Sequence, residues 1–178
     1  TLFRSPGKTL NEVSKILEDI DDIVDITFTD NHILFNLEKT KIISRLLEGK
    51  YINYTSLLPQ EHKLLVNVNR QELQNAIERA SLMAKDGNTN LIKLDFQQDN
   101  LIITSNSQLG KVREEIEIKL QGGQIEIAFN SRYLLDVLKN IESDDVLMKM
   151  TSGITPCVLE EKDNENSKYL VLPVRLMR

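Results

Sequence analysis

The chain has 178 residues, 40% hydrophobic and 28% charged, with a formal net charge of −5. That is enough apolar material for one full core and part of another, and it excludes a disordered, collagen-like or wholly basic chain, while leaving room for a local basic face. A single cysteine, Cys157, excludes an internal disulfide framework and fits a reducing compartment. No apolar run approaches the roughly 20 residues that cross a bilayer, and no secretory signal opens the chain. Residues 1–5, Thr-Leu-Phe-Arg-Ser, fit nothing around them and read as a translated adapter or cloning scar, so they are set aside.

In chain order, the periodicity predicts the same unit three times, an amphipathic helix followed by three strands. The first copy has a helix over residues 9–20 and strands over 23–29, 33–37 and 41–47. Thr9 and Glu12 have the spacing of a capping box, and Leu10, Val13, Ile16, Leu17 and Ile20 share one face at about 100° per residue. The second copy has a lead-in strand over 64–68, a helix over about 70–84 and strands over 91–96, 101–105 and 111–120. Leu73, Ala76, Ile77, Ala80 and Ala84 form its buried stripe. The third copy has a lead-in strand over 124–128 and a helix over 131–141, with Asn130 as N-cap and Leu134, Val137, Leu138 and Ile141 facing inward. Strands over 146–151, 156–160 and 168–174 complete it. Asp30-Asn31, Asp99-Asn100 and Ser152-Gly153 supply the turns between the first two strands of each copy. Copies two and three each own a lead-in strand and belong together. Copy one has none and reads as the second half of a domain.

Each helix presents a basic residue away from its apolar stripe: Lys15 on the first, Arg79 on the second, Arg132 and Lys139 on the third. Solvation alone accounts for such charges. Leu82 breaks the pattern because it lies nearly opposite the buried stripe, with Met83 well off it, and two adjacent apolar residues there predict a contact surface or a frayed helix end. The last stretch, Tyr169-Leu-Val-Leu-Pro-Val-Arg-Leu176, predicts an apolar strand able to offer side chains both to a core and to a partner.

Catalytic chemistry has no footing in this pattern. His32 sits beside a turn and His62 in a polar connection, and one cysteine with two scattered histidines gives no zinc-ligand spacing. No nucleophile elbow, Walker loop or dinucleotide fingerprint is present; Gly7-Lys8-Thr9 lacks the upstream glycine and strand. Glu114-Glu115 and Glu160-Glu161 have no base or nucleophile near them in the pattern. Residues 160–168 read as a charged hairpin loop, and Cys157 alternates with apolar neighbours as a core thiol does. The sequence therefore argues for binding and assembly, with no cofactor and no metal.

Several segments, taken in order, resemble one family. They are the repeated α-β-β-β unit, Pro6-Gly-Lys-Thr-Leu10 opening the first helix, Leu47-Glu-Gly-Lys-Tyr51 running to Leu57-Leu-Pro59, Phe129-Asn with Tyr133-Leu-Leu-Asp136, and Leu172-Pro-Val-Arg-Leu176. Together they are similar to the bacterial DNA polymerase III β subunit, the sliding clamps, over residues 6–178. The resemblance implies an α+β clamp fold, with helices lining a central hole around duplex DNA and antiparallel sheets outside. Residues 6–58 would be the C-terminal half of the middle domain and 59–178 the C-terminal domain.

The resemblance also implies a non-catalytic processivity factor, cytoplasmic and associated with the nucleoid at replication forks. The full-length chain would act as a homodimer, with the replicative polymerase, the clamp loader and other clamp-motif proteins as partners. Lys8, Lys15, Arg79, Arg132 and Lys139 become candidates for phosphate contacts that are independent of base sequence. Ile52, Leu57, Ile154, Pro156, Leu170, Val171, Leu172, Pro173, Val174, Arg175 and Leu176 match the pocket that accepts Gln-Leu-x-Leu-Phe-like motifs. Leu82 and Met83 match apolar positions of the subunit interface, and Glu114 and Glu115 an acidic strip that pairs with the other subunit. Two positions depart from the family pattern: Tyr51-Ile52-Asn53 stands where many clamps have an aromatic-Pro-Asp, and Ser56 where many have arginine. The chain by itself is expected to be monomeric or to associate nonspecifically. The readings set against this one are an α+β interaction scaffold with no DNA role, and an enzyme whose catalytic half lies elsewhere.

Overall fold

The computed structural model describes residues 4–17, 23–37, 40–49, 51–59, 61–86, 90–108, 110–162 and 164–175. Two compact units are present, Thr1–Asn53 and Tyr54–Arg178.

In the first unit, α1 (Gly7–Ile16) precedes an antiparallel sheet of β1 (Asp25–Phe28), β2 (His32–Leu37) and β3 (Thr40–Arg45), in that spatial order. The Asp30-Asn31 turn closes as its sequence predicts, with the Thr29 N–H donating to the His32 carbonyl at 2.9 Å. The helix begins two residues earlier than predicted, with Pro6 at its N-cap position and no side-chain cap. Thr9 therefore sits inside the first turn and makes no capping box; its hydroxyl instead meets Ser44 Oγ of β3 at 2.8 Å. Burial also departs from the predicted stripe. Val13 is buried with Ile33, Phe35 and Leu46, while Leu10, Ile16 and Leu17 stay 44–46% exposed. One short three-stranded sheet has too little surface to cover the whole face of the helix. Ile20 lies outside the described residues. Arg4 belongs to this unit: its carbonyl accepts from the Leu47 N–H at 2.8 Å, and its guanidinium lies 5.9 Å from the Tyr51 ring centre.

The second unit opens with a 3-10 turn at Tyr54–Ser56 and continues with β4 (Leu64–Asn69), α2 (Arg70–Asp86), β5 (Leu91–Phe96), β6 (Asn100–Ser107), β7 (Gly110–Glu117) and β8 (Lys119–Gln121). The third copy follows as β9 (Ile125–Asn130), α3 (Ser131–Leu138), β10 (Asp145–Met150), β11 (Cys157–Glu161) and β12 (Asn164–Val171). The spatial orders are β12-β11-β10-β4-β8 and β7-β6-β5-β9. Each lead-in strand thus sits in the sheet of the other copy: β4 pairs with β10, and β9 with β5. This exchange merges the two repeats into one core, because each sheet needs a strand from both.

The strand expected over 111–120 is broken at Ile118. That residue turns inward, and its N–H donates to the Asp99 carbonyl at 3.0 Å, while the chain passes from β7 in one sheet to β8 in the other. Gly122 ends β8 at φ +110°, where a Cβ would meet the Lys63 carbonyl oxygen at 2.3 Å. Both helices of this unit start at an asparagine that leaves a strand. Asn69 Oδ1 accepts from the Glu72 N–H and Asn130 Oδ1 from the Arg132 N–H, each at 3.0 Å. α3 stops three residues short of the predicted end, yet Ile141 still reaches the core at 3% exposure. The predicted stripe of α2 is buried throughout.

Candidate functional site

The predicted terminal strand over 168–174 divides into two parts. β12 ends at Val171, which is buried, and Leu172–Arg175 leave the ladder. Pro173 has no N–H to give a ladder, so the pairing stops where the alternation of side chains alone would have carried it on. The segment then docks elsewhere: the Val174 N–H donates to the Ala128 carbonyl of β9 at 2.8 Å. A link therefore runs from the end of one sheet to the edge strand of the other.

The Ser152–Thr155 turn meets the same edge. Thr155 Oγ1 accepts from the Ser152 N–H at 2.9 Å, and Gly153 lies so close to β9 that a Cβ would stand 2.5 Å from the Glu126 carbonyl oxygen. Glu126 and Ala128 are two residues apart on one strand, about 7 Å. Ile154, at the tip of that turn, and Leu172 and Val174, on the terminal segment, thus come to one place, at 69%, 63% and 39% exposure. Pro156 is half-buried behind the turn, and Leu170 stands opposite Val158 in the β11–β12 ladder. Arg175 is exposed. Leu57 is exposed after the 3-10 turn, where its N–H donates to the Tyr54 carbonyl at 3.0 Å. Ile52, in the first unit, is also exposed. Leu176 lies outside the described residues.

Val158 is buried in β11. Glu160 is buried in β11 instead of belonging to a charged loop, held by Lys149 Nζ at 2.6 Å with Lys168 Nζ at 3.6 Å. The register alone assembles this trio, since Lys149 pairs opposite Val158 and Glu160 opposite Lys168. Cys157 is fully buried, and burial pushes its thiol far above the ordinary range.

All five helix cations are exposed. Lys8 and Lys15 are on α1, with Lys15 bridged to Glu12 at 2.9 Å. Arg79 is on α2, and its Nε and a terminal nitrogen both donate to Glu114 Oε2 of β7, at 2.9 and 2.6 Å. That hydrogen bond raises the guanidinium pKa above its ordinary value. Arg132 lies in the first turn of α3 and Lys139 follows its last turn, with the exposed Tyr133 beside Arg132. Leu82 is 61% exposed as the helical spacing predicts, and Met83 is half-buried with Ser107 Oγ at 3.9 Å from its sulfur. Glu115 is bridged by Arg113 at 2.8 Å. Among the described residues no group of His, Cys, Asp and Glu clusters as a metal site, and no helix is long and apolar enough to cross a membrane.

Residues 55–175 match the family profile of the DNA polymerase III beta subunit, C-terminal domain, and residues 3–53 match that of its central domain. The chain belongs to the DNA polymerase III beta subunit family. Among its relatives, the beta sliding clamps of Staphylococcus epidermidis and Staphylococcus aureus are each 38% identical over 172 residues, covering 96% of this chain and 46% of theirs. The sliding clamp structure from Bacillus subtilis superposes with a TM-score of 0.83 at 39% identity, over 97% of this chain and 46% of that one. The polymerase III beta chain from Streptococcus pneumoniae gives 0.85 at 31% identity, over 97% and 46%. The clamp fold is therefore that of this chain, and the family is a non-catalytic one. The chain spans about half the length of the clamps it matches.

Proposed function

We propose that this chain is the partner-binding part of a replication processivity factor, a clamp that tethers polymerases to duplex DNA. The observation that carries this reading is the apolar row of Ile154, Leu172 and Val174 held against the β9 edge, in a chain whose family is that of the sliding clamps. Leu57, Pro156, Leu170, Val171, Pro173 and Arg175 join that row in receiving a Gln-Leu-x-Leu-Phe-like segment, and Leu176 takes part as well. Such a segment places large apolar side chains on exposed apolar ones, while its backbone finds polar groups at the end of a strand. Clamp-motif polymerases and a clamp loader are the partners this chemistry fits.

On the helices, Lys8, Lys15, Arg79, Arg132 and Lys139 face phosphates in the ring formed by the full-length homodimer. Lys15 and Arg79 each already carry a carboxylate partner, so their pull on DNA is moderated. Weak, sequence-independent contacts of that kind permit sliding, and closure of the ring supplies retention. Leu82, Met83, Glu114 and Glu115 lie on the flank that meets the other subunit. The domain limits 6–58 and 59–178 follow from the same reading, as does work in the bacterial cytoplasm at replication forks.

The test is an NMR titration of this chain with a Gln-Leu-x-Leu-Phe peptide, following the amides of Ile154, Leu170, Val171, Leu172, Val174 and Arg175. Saturable shifts confined to those amides and their β9 neighbours are the expected result. A folded chain whose amides do not move overturns the assignment of the peptide site to this half of the protein.

A further inference from the structure

Cys157 and Leu159 of β11 belong to the core, so Val158 and Glu160 turn to the opposite face of the five-stranded sheet. A sheet face turned away from the core is normally wet, yet these two residues are only 6% and 5% exposed. Their cover is the connection that precedes β4. It is tied down at two points, where Thr151 Oγ1 donates to the Glu61 carbonyl and the Lys63 N–H to the Met150 carbonyl, each at 2.9 Å. Between this connection and the sheet lies a hollow of about 210 Å³, walled by Leu58, Pro59 and His62 and floored by Val158 and Glu160.

Lys149 and Lys168 complete its lining. A buried carboxylate is costly unless it is paired, and Glu160 has two cations: Lys149 Nζ on Oε2 at 2.6 Å, and Lys168 Nζ at 3.6 Å from Oε1. One carboxylate between two ammonium groups leaves one positive charge in excess. Lys149, with its side chain 26% exposed, is hydrogen-bonded and holds Glu160 in place. Lys168 stands beyond hydrogen-bond distance of Glu160 and is 47% exposed, so it carries the excess charge where a ligand can reach it. The register sets this charge next to the apolar row. Leu170 pairs opposite Val158 and Lys168 opposite Glu160, so Lys168 and Leu170 share one face of β12, about 7 Å apart.

We propose that the hollow selects partners by charge: it takes a carboxylate side chain carried by the docked segment, about two residues beyond the side chain that covers Leu170. In an extended segment that step is about 7 Å, the same as the step from Leu170 to Lys168. A basic residue there meets two ammonium groups, and Glu160 is already bonded and too buried to receive it. A neutral residue leaves the excess charge unanswered. An acidic one pairs with Lys168 while Lys149 keeps Glu160. The chain as a whole carries −5, so a general effect of charge runs the other way and disfavours an acidic segment. The inference rests on the peptide site proposed above and adds to its apolar contacts a preference for what flanks the motif.

Fluorescence anisotropy of this chain with labelled peptides tests it, using Gln-Leu-x-Leu-Phe alone and the same motif with Asp-Asp-Asp or Ser-Ser-Ser added before or after it. The aspartate peptide whose extension runs towards Lys168 is expected to bind about three- to fivefold tighter than its serine counterpart at low salt, and the gain to fade as salt is raised. Lys168→Met removes the charge and keeps most of the stem, so the acid preference is expected to vanish while the plain peptide binds as before. Lys168→Glu is expected to reverse the preference. Lys149 still pairs with Glu160 in both variants, and circular dichroism is expected to report an unchanged fold. A plain peptide that does not bind overturns the peptide site and this extension with it. A plain peptide that binds while the aspartate and serine forms bind alike, or an acid preference that survives Lys168→Met, overturns the extension alone.

Discussion

Leu172→Ala isolates the peptide site from the fold. Leu172 lies past the end of β12 and is 63% exposed, so its side chain holds little of the core together. Fully burying a leucine is worth about 1.5–3 kcal/mol. A peptide that covers the remaining 63% therefore gains about 1–2 kcal/mol from this side chain, or roughly 5- to 30-fold in Kd. Calorimetric titration with a Gln-Leu-x-Leu-Phe peptide is expected to show that weakening, with thermal unfolding of the free chain moved by less than about 0.5 kcal/mol. Ile154→Ala, at 69% exposure, is expected to match it. An unchanged Kd in both variants, with the wild type binding, refutes the placement of the site at the β9 edge. A large loss of stability refutes the claim that these residues are spare to the fold.

Cys157 is fully buried with its thiol pKa raised, so a disulfide-exchange reagent is expected to leave it untouched in the native chain and to titrate one thiol only in denaturant. Asp145 accepts a hydrogen bond from Lys162 at 2.9 Å, which lowers its carboxyl pKa. Its contribution to stability is therefore complete above the unfolded value of about 3.9 and is lost as pH falls through the lower folded value; Asp145→Asn is expected to flatten that acid limb in urea unfolding followed against pH. Removing the helix cap with Asn69→Ala is expected to cost about 1 kcal/mol in the same assay.

The threefold repeat, the Asn130 helix junction and the outlying Leu82 were legible because each depends on residues close in sequence. A helical wheel places Leu82 opposite Leu73, Ala76 and Ile77 whatever surrounds it, and the structure leaves it exposed. What lay beyond reach depended on a partner surface. An amphipathic pattern in α1 states which side can be buried, but not that this unit offers only enough sheet to bury Val13. The break at Ile118 has no glycine or proline to mark it, because apolar alternation runs straight through Ile116-Glu-Ile-Lys-Leu120. It is set by β4, which draws the end of that strand into the other sheet.

The peptide-facing row has the same origin. A repeat seen in sequence states that the second and third copies belong together, but not which sheet takes each lead-in strand. The structure exchanges the lead-ins, so β9 becomes the edge of the second copy's sheet while its own copy's turn and tail lean on it from outside. Pro173 then has a role that strand periodicity cannot give it. Standing two residues after Val171, where the β12 ladder ends, it frees Val174 to bond Ala128, and that single bond brings the tail alongside the Ile154 turn. An apolar surface built in this way stays exposed without unravelling a sheet, because the strands it joins are already paired on their inner sides.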